Sequence, residues 1–151
     1  MSKLRHVTKW QWVFFLAALF WTAFIWGNSL QPAVASSAQS QSVVDILKPL
    51  LSALGIASGQ WQHLIRKAAH MFEFFMLCLF WLGAVRAKRY SWPLGLSLLT
   101  ACIDEGIQYF VPGRSNQLSD VAIDFSGALI AVAVCAVAVH FIRRHKKTST
   151  S

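Results

Sequence analysis

The chain has 151 residues, of which 56% are hydrophobic and 13% charged, about half the ~25% charged content of an average soluble domain, which argues against a soluble enzyme. Lys and Arg number 14 against 6 Asp and Glu. The cations flank apolar runs and lack interleaved base-stacking aromatics, so this balance fits a bilayer with basic flanks and argues against a nucleic-acid partner.

A hydrocarbon core of about 30 Å takes roughly 20 apolar residues at 1.5 Å each. The first candidate span, Trp10 to Trp26, follows Lys3, Arg5 and Lys9. Beyond it, Ala33-Val34-Ala35 also fits a signal-peptide cleavage pattern, which leaves retention or removal of this helix open. Ser36 to Ser42 is small and polar. Val43 to Ile56 is too short and too polar to span, and is expected to lie on the outer interface as a short amphipathic helix, with Trp61 as a headgroup-level anchor. The second span is Ala68 to Val85, the third Trp92 to Val111, and the fourth Leu118 to Ile142. Residues 143–151 form a basic cytoplasmic tail, disordered at its Thr/Ser end. This reading gives an all-α, integral membrane four-helix bundle, a single domain over 1–151.

Orientation follows from the Lys and Arg flanks. Lys3, Arg5 and Lys9, then Arg86, Lys88 and Arg89, then Arg143, Arg144, Lys146 and Lys147 lie in segments without an acid. They place both termini in the cytoplasm and turn residues 28–67 and 112–117 outward. Cys78, Cys102 and Cys135 are each inside an apolar run, an odd number that suits small buried hydrophobes and excludes a disulfide framework.

Five of the six acids, Glu73, Asp104, Glu105, Asp120 and Asp124, fall inside or at the edge of these spans. A charge at mid-bilayer costs at least ~2.5–3.5 kcal/mol, so such residues normally face the bundle interior and are paired or functional. Depth follows from the topology at 1.5 Å per residue. Glu73 lies about 8 Å below the outer start of its helix, Asp104 about 10 Å below the outer end of the next, and Asp120 and Asp124 within about 9 Å of the start of the last. Three helices thus deliver polar groups to one layer beneath the outer surface. Phase agrees: Arg66, His70 and Glu73 share an arc of about 60°, Ser97, Thr100, Asp104 and Gln108 form a stripe, and Asp120 and Asp124 align with Gly127. The missing side chain at Gly127 allows close helix approach. Glu105 is turned roughly 100° from the stripe and meets a different partner.

These blocks resemble the VanZ-like family of small polytopic membrane proteins. The resemblance rests on Arg66-Lys67-Ala68-Ala69-His70 with Glu73, on Asp104-Glu105 with Gln108, and on Pro112-Gly113-Arg114 followed by Asp120, Asp124 and Gly127. The end of the first helix, Asn28-Ser29-Leu30-Gln31-Pro32, is similar too. Phe74 stands where the family often has Tyr, which removes a hydroxyl donor, and position 124 can be Asn in the family, which puts an obligatory carboxylate there in doubt. The resemblance implies a bacterial cytoplasmic (inner) membrane protein of the cell envelope, connected through the family's namesake with resistance to the glycopeptide teicoplanin. It supplies no reaction.

Three uses of the cluster compete. In the structural one, Arg66, Lys67 and Arg114 neutralise Glu73, Asp104 and Asp120 in a buried ion-pair network, although five acids against three cations leave a surplus. In the binding one, Arg66, Lys67, His70, Glu73, Asp104, Glu105, Gln108, Arg114, Asp120 and Asp124 line a pocket at the outer leaflet. There the guanidinium forks suit the phosphate of a membrane lipid or polyprenyl-linked envelope precursor. In the enzymatic one, His70, Glu73, Asp104 and Asp120, with Asp124, hold a divalent metal or act as an acid/base set hydrolysing a lipid-linked phosphate or ester. No zinc, phosphatase or nucleophile signature accompanies them. His6, His63, His140 and His145 lie near interfaces or tails and read as solvated. Recognition or modification of an envelope lipid is the favoured expectation.

Overall fold

The computed structural model describes residues 8–85, 89–114 and 118–148. Of the predicted basic flanks, Lys3, Arg5, Arg86 and Lys88 lie outside these residues, as do positions 149–151 of the tail. Every regular element among the described residues is helical: α1 (Lys9–Ser29), α2 (Ala33–Ala53), a 3-10 turn (Ser58–Gln60), α3 (Trp61–Ala84), α4 (Ser91–Tyr109) and α5 (Leu118–Thr148).

Helix α1 opens on Thr8, whose backbone N–H donates to Gln11 Oε1 at 3.0 Å. The amide of Gln11 also donates to the Ala84 carbonyl at the end of α3, at 3.0 Å. Pro32 separates α1 from α2, as suits a residue that cannot donate into a continuing helix and has its φ set for starting a new one. The segment after it is more ordered than its composition suggests. The small, polar stretch Ser36 to Ser42 is helical: α2 begins at Ala33 and runs 21 residues, so the expected short interfacial helix is half again longer at its start. Ser40 and Ser42 hydroxyls donate back to the carbonyls four residues earlier, and Ser40, Val44 and Leu51 form its buried stripe. It ends in a Schellman motif, with Ile56 N–H on Leu51 O and Gly55 N–H on Ser52 O. Gly55 takes φ +69° there, the left-handed conformation that glycine adopts at least cost.

Trp61 departs from its expected role as a headgroup anchor. Its indole donates to the Ile56 carbonyl at 2.8 Å, and the ring packs with Val44 and Leu51, because the turn that closes α2 folds the start of α3 back onto it. Helix α3 touches each of the other four helices. Its lower half supplies Phe74, Leu77 and Trp81, which pack with Ala18, Ile25 and Ala101, and Cys78 and Leu82, which pack with Ala128 and Ala131. Contact between α3 and α5 is the most extensive in the fold. Gly127 makes it possible: a Cβ there would fall 2.0 Å from the Met71 carbonyl oxygen.

Three helical segments are long and apolar enough to cross a membrane: Lys9–Ser29, Ser58–Ala84 and Ser119–Lys146. Phe20, Phe72, Leu99 and Ile142 are among many large apolar side chains left exposed, as expected of a membrane protein whose outer face meets lipid. Helix α4 is not one of the three. Its 19 residues bury Asp104, Glu105 and Gln108, and that polar load offsets its apolar ones. At the far end, α5 continues past the expected end of the fourth span at Ile142, through the basic residues to Thr148. Lys and Arg are good helix formers, and cations near a helix C-terminus complement its dipole.

Candidate functional site

The site is organised by the turn between α4 and α5. Arg114 N–H donates to Val111 O at 3.2 Å, with Pro112 and Gly113 at the central positions and Gly113 at φ +78°, the pattern of a type II turn. It folds Arg114 back over the end of α1. The guanidinium Nη2 donates to Asn28 O at 3.1 Å, Nε to Gln31 O at 3.3 Å, and Nη1 to Gln108 Oε1 at 3.3 Å. A cation at the last carbonyls of α1 also complements that helix's dipole.

From Arg114 a polar chain runs into the bundle. Gln108 Nε2 donates to Asp104 Oδ2 at 2.8 Å and lies 3.4 Å from Ser29 Oγ. On α3, Glu73 is held by α1: Asn28 Nδ2 donates to its Oε1 at 3.0 Å, and the Trp21 indole donates to its backbone carbonyl at 2.9 Å. His70 Nδ1 lies 3.7 Å from Glu73 Oε2 and 3.9 Å from Asp124 Oδ1. Lys67 meets Asp120 at 3.3 Å, with each side chain 29% exposed.

A cleft of about 70 Å³ opens between α3, α4 and α5, lined by Arg66, Lys67, His70, Glu105, Gln108, Arg114, Asp120 and Asp124. Eight of the expected site residues are therefore brought together. Glu73 instead lines a second cleft of about 140 Å³ against α2, and Arg66, His70 and Arg114 are shared between the two. Asp104 lies fully buried, bonded to Gln108 on its own helix. The three-helix layer expected from phase and depth is thus assembled. Glu105 is buried too, facing the first cleft beside the stripe that holds Asp104.

The ion-pair alternative is met at one pairing. Among the described residues, Lys67 with Asp120 is the pairing of a Lys or Arg with a member of the acid cluster that comes within 4.0 Å. Glu73, Asp104 and Asp124 are served instead by Asn28, Gln108 and the His70 ring. The reason lies in the forks: Arg114 is occupied by two carbonyls and a glutamine, while Arg66 turns to the clefts. Asn28, Ser29 and Gln31 are site residues that the search for charges passed over. Their signal was a polar ending on an otherwise apolar helix. His63, read as solvated, is exposed but borders the first cleft.

Electrostatically the first cleft sets Arg66, Lys67 and Arg114 beside Glu105, Asp120 and Asp124. Burial lowers the pKa of Arg114, and the like charge of Arg66 lowers it further, against the pull of Asp104 and Glu105; a guanidinium stays protonated regardless. Two arginines near enough to repel each other are the arrangement an anion would relieve. Deeper in, His70, Asp104 and Asp124 each offer a ligand atom, all within 4.8 Å of one another, a donor set suited to a metal ion.

Residues 14–140 match the family model described as VanZ/LLP1. Neither a curated protein nor a solved structure matches the chain.

Proposed function

The chain belongs to the VanZ/LLP1 family, and from that premise we propose that it recognises the phosphate of an anionic envelope lipid, or of a polyprenyl-linked envelope precursor, at the outer leaflet of the bacterial cytoplasmic membrane. In this reading α4 joins the three apolar helices as a fourth span, both termini are cytoplasmic, and α2 lies along the outer interface. The family's name suggests a connection with teicoplanin susceptibility.

One observation carries the proposal. Arg66 forms no hydrogen bond or ion pair with any described residue, yet it is half-buried in the wall between two clefts, beside His70 and Arg114. A membrane protein that needed Arg66 only for packing would gain more from an apolar side chain there. A guanidinium held free at a cleft mouth suits a phosphate, which it meets through paired donors. The Lys67–Asp120 pair at the rim leaves Arg66 and Arg114 as the donors for that group.

The test is native mass spectrometry of the full-length protein in nanodiscs containing phosphatidylglycerol or undecaprenyl phosphate. Wild type should retain one phosphate-bearing lipid, Arg66→Ala should lose it, and cells carrying that variant should show the teicoplanin susceptibility of cells lacking the protein. Equal retention by wild type and variant would sink the proposal.

A further inference from the structure

We propose that His70, Asp104 and Asp124 form a binding site for one divalent first-row transition cation on the floor of the first cleft. The inference stands on different residues from the phosphate reading and does not rest on it.

Helices α3, α4 and α5 contribute one ligand each. The three ligand atoms lie within 4.8 Å of one another. Metal–ligand bonds of about 2.0–2.2 Å in a tetrahedral site hold donor atoms about 3.3–3.6 Å apart, so closing the site asks for side-chain shifts of up to about an ångström. Asp104 and Asp124 are 0% and 1% exposed. Asp104 Oδ1, Asp124 Oδ2 and His70 Nδ1 are all buried without a hydrogen-bond partner, although buried polar atoms are satisfied in the great majority of cases. Among the described residues no Lys or Arg nitrogen comes within 4.0 Å of either aspartate. Two buried carboxylates without a counter-cation are costly. A bound divalent ion would neutralise both.

Supporting contacts match those of a metal site. Gln108 grips Asp104 Oδ2 at 2.8 Å and leaves Oδ1 available. Such outer contacts commonly orient metal ligands. One imidazole with two carboxylates suits Zn²⁺, Mn²⁺ or Fe²⁺ better than Ca²⁺, which takes oxygen ligands. His70 and Asp124 both line the cleft, so three protein ligands would leave the open side of the ion facing it, as in sites that bind a further ligand.

The experiment uses untagged full-length protein in nanodiscs, stripped with chelator and dialysed against Zn²⁺, Mn²⁺ or Fe²⁺ singly. Elemental analysis and thermal midpoint are then read on wild type, His70→Gln, Asp124→Asn and Gln108→Ala. Wild type should bind one equivalent of at least one of these ions and melt higher with it. Asp124→Asn and His70→Gln should hold less than a fifth of an equivalent and show no metal-dependent shift. Asp124→Asn should also melt no lower than chelated wild type, since it removes one of two uncompensated charges. Gln108→Ala should weaken affinity about 10- to 100-fold. Should a ligand variant fail to insert, Co²⁺-loaded wild type gives the answer: weak visible bands of nitrogen and oxygen ligation support the site, and a thiolate charge-transfer band assigns the ion to cysteine and overturns it. Absence of stoichiometric metal in wild type, or its undiminished retention in both ligand variants, overturns it as well.

Discussion

On either side of Glu73, helix α3 is packed by different rules. Toward its C-terminus Phe74, Leu77, Cys78, Trp81 and Leu82 are all buried against α1, α4 and α5. Toward its N-terminus Arg66, Lys67 and His70 are half-buried and border open clefts. The lower region is held by shape, with Gly127 and Gly83 admitting neighbours that any Cβ would strike. The upper region is held by hydrogen bonds to α1 and leaves space unfilled. A bundle that needed only to persist would extend the lower packing upward, since charged groups within a membrane cost more than apolar ones. Retaining the polar layer makes sense where that space receives something.

The sharpest attack on the lower region is Gly127→Val. With a Cβ already 2.0 Å from the Met71 carbonyl oxygen, α3 and α5 must separate, at a cost of about 1–3 kcal/mol or more. Size-exclusion profiles should lose the monodisperse peak, and a normal profile would contradict the close approach. In the upper region, two arginines should part company. Arg114→Ala strips the donor from Asn28 O, Gln31 O and Gln108 and should cost about 1–3 kcal/mol in thermal unfolding. Arg66→Ala removes no such bond and should stay within ~0.5 kcal/mol of wild type, while lipid retention falls about 10-fold or more in both. If Arg66→Ala unfolds the protein, the upper region is structural after all. Gly113→Ala should sit between these extremes. It forces a side chain into φ +78° with its Cβ 3.1 Å from Ala33 Cβ, costing about 1–2 kcal/mol and weakening lipid retention through the displaced Arg114. Smallest of all is Lys67→Ala at the rim, where a partly exposed pair is worth about 0–1 kcal/mol; a midpoint drop beyond that would mean Lys67 serves the interior.

The two regions were unequally legible. Gly127 and the polar faces of α3, α4 and α5 could be read because helical period turns spacing into direction, and because charges in apolar runs stand out. Asn28 and Ser29 were noted in the family-like ending of the first helix but not placed in the site, since uncharged residues at the end of a span look like an ordinary exit from the membrane. What makes them functional is contact with Glu73 and Gln108, far along the chain. Trp61 was read as an anchor for the same kind of reason: nothing local foretells that the Gly55 turn folds it onto Val44 and Leu51. Ser36 to Ser42 read only as small and polar, because serines that satisfy their hydroxyls on the preceding helical turn cannot be told in advance from serines in coil.

Arg114 reaches backbone carbonyls 83 and 86 residues behind it. Synthesis proceeds from the N-terminus, so the last turn of α1 leaves the ribosome long before its guanidinium partner exists. Through that interval the first helix must wait in the membrane, its terminal carbonyls kept by water or headgroups, until the fourth turn of the story, the Pro112-Gly113 bend, arrives to claim them. Assembly of the cleft is therefore a late event in biogenesis, and a chain stalled before residue 114 would hold its apolar helices without the latch that joins the first to the last.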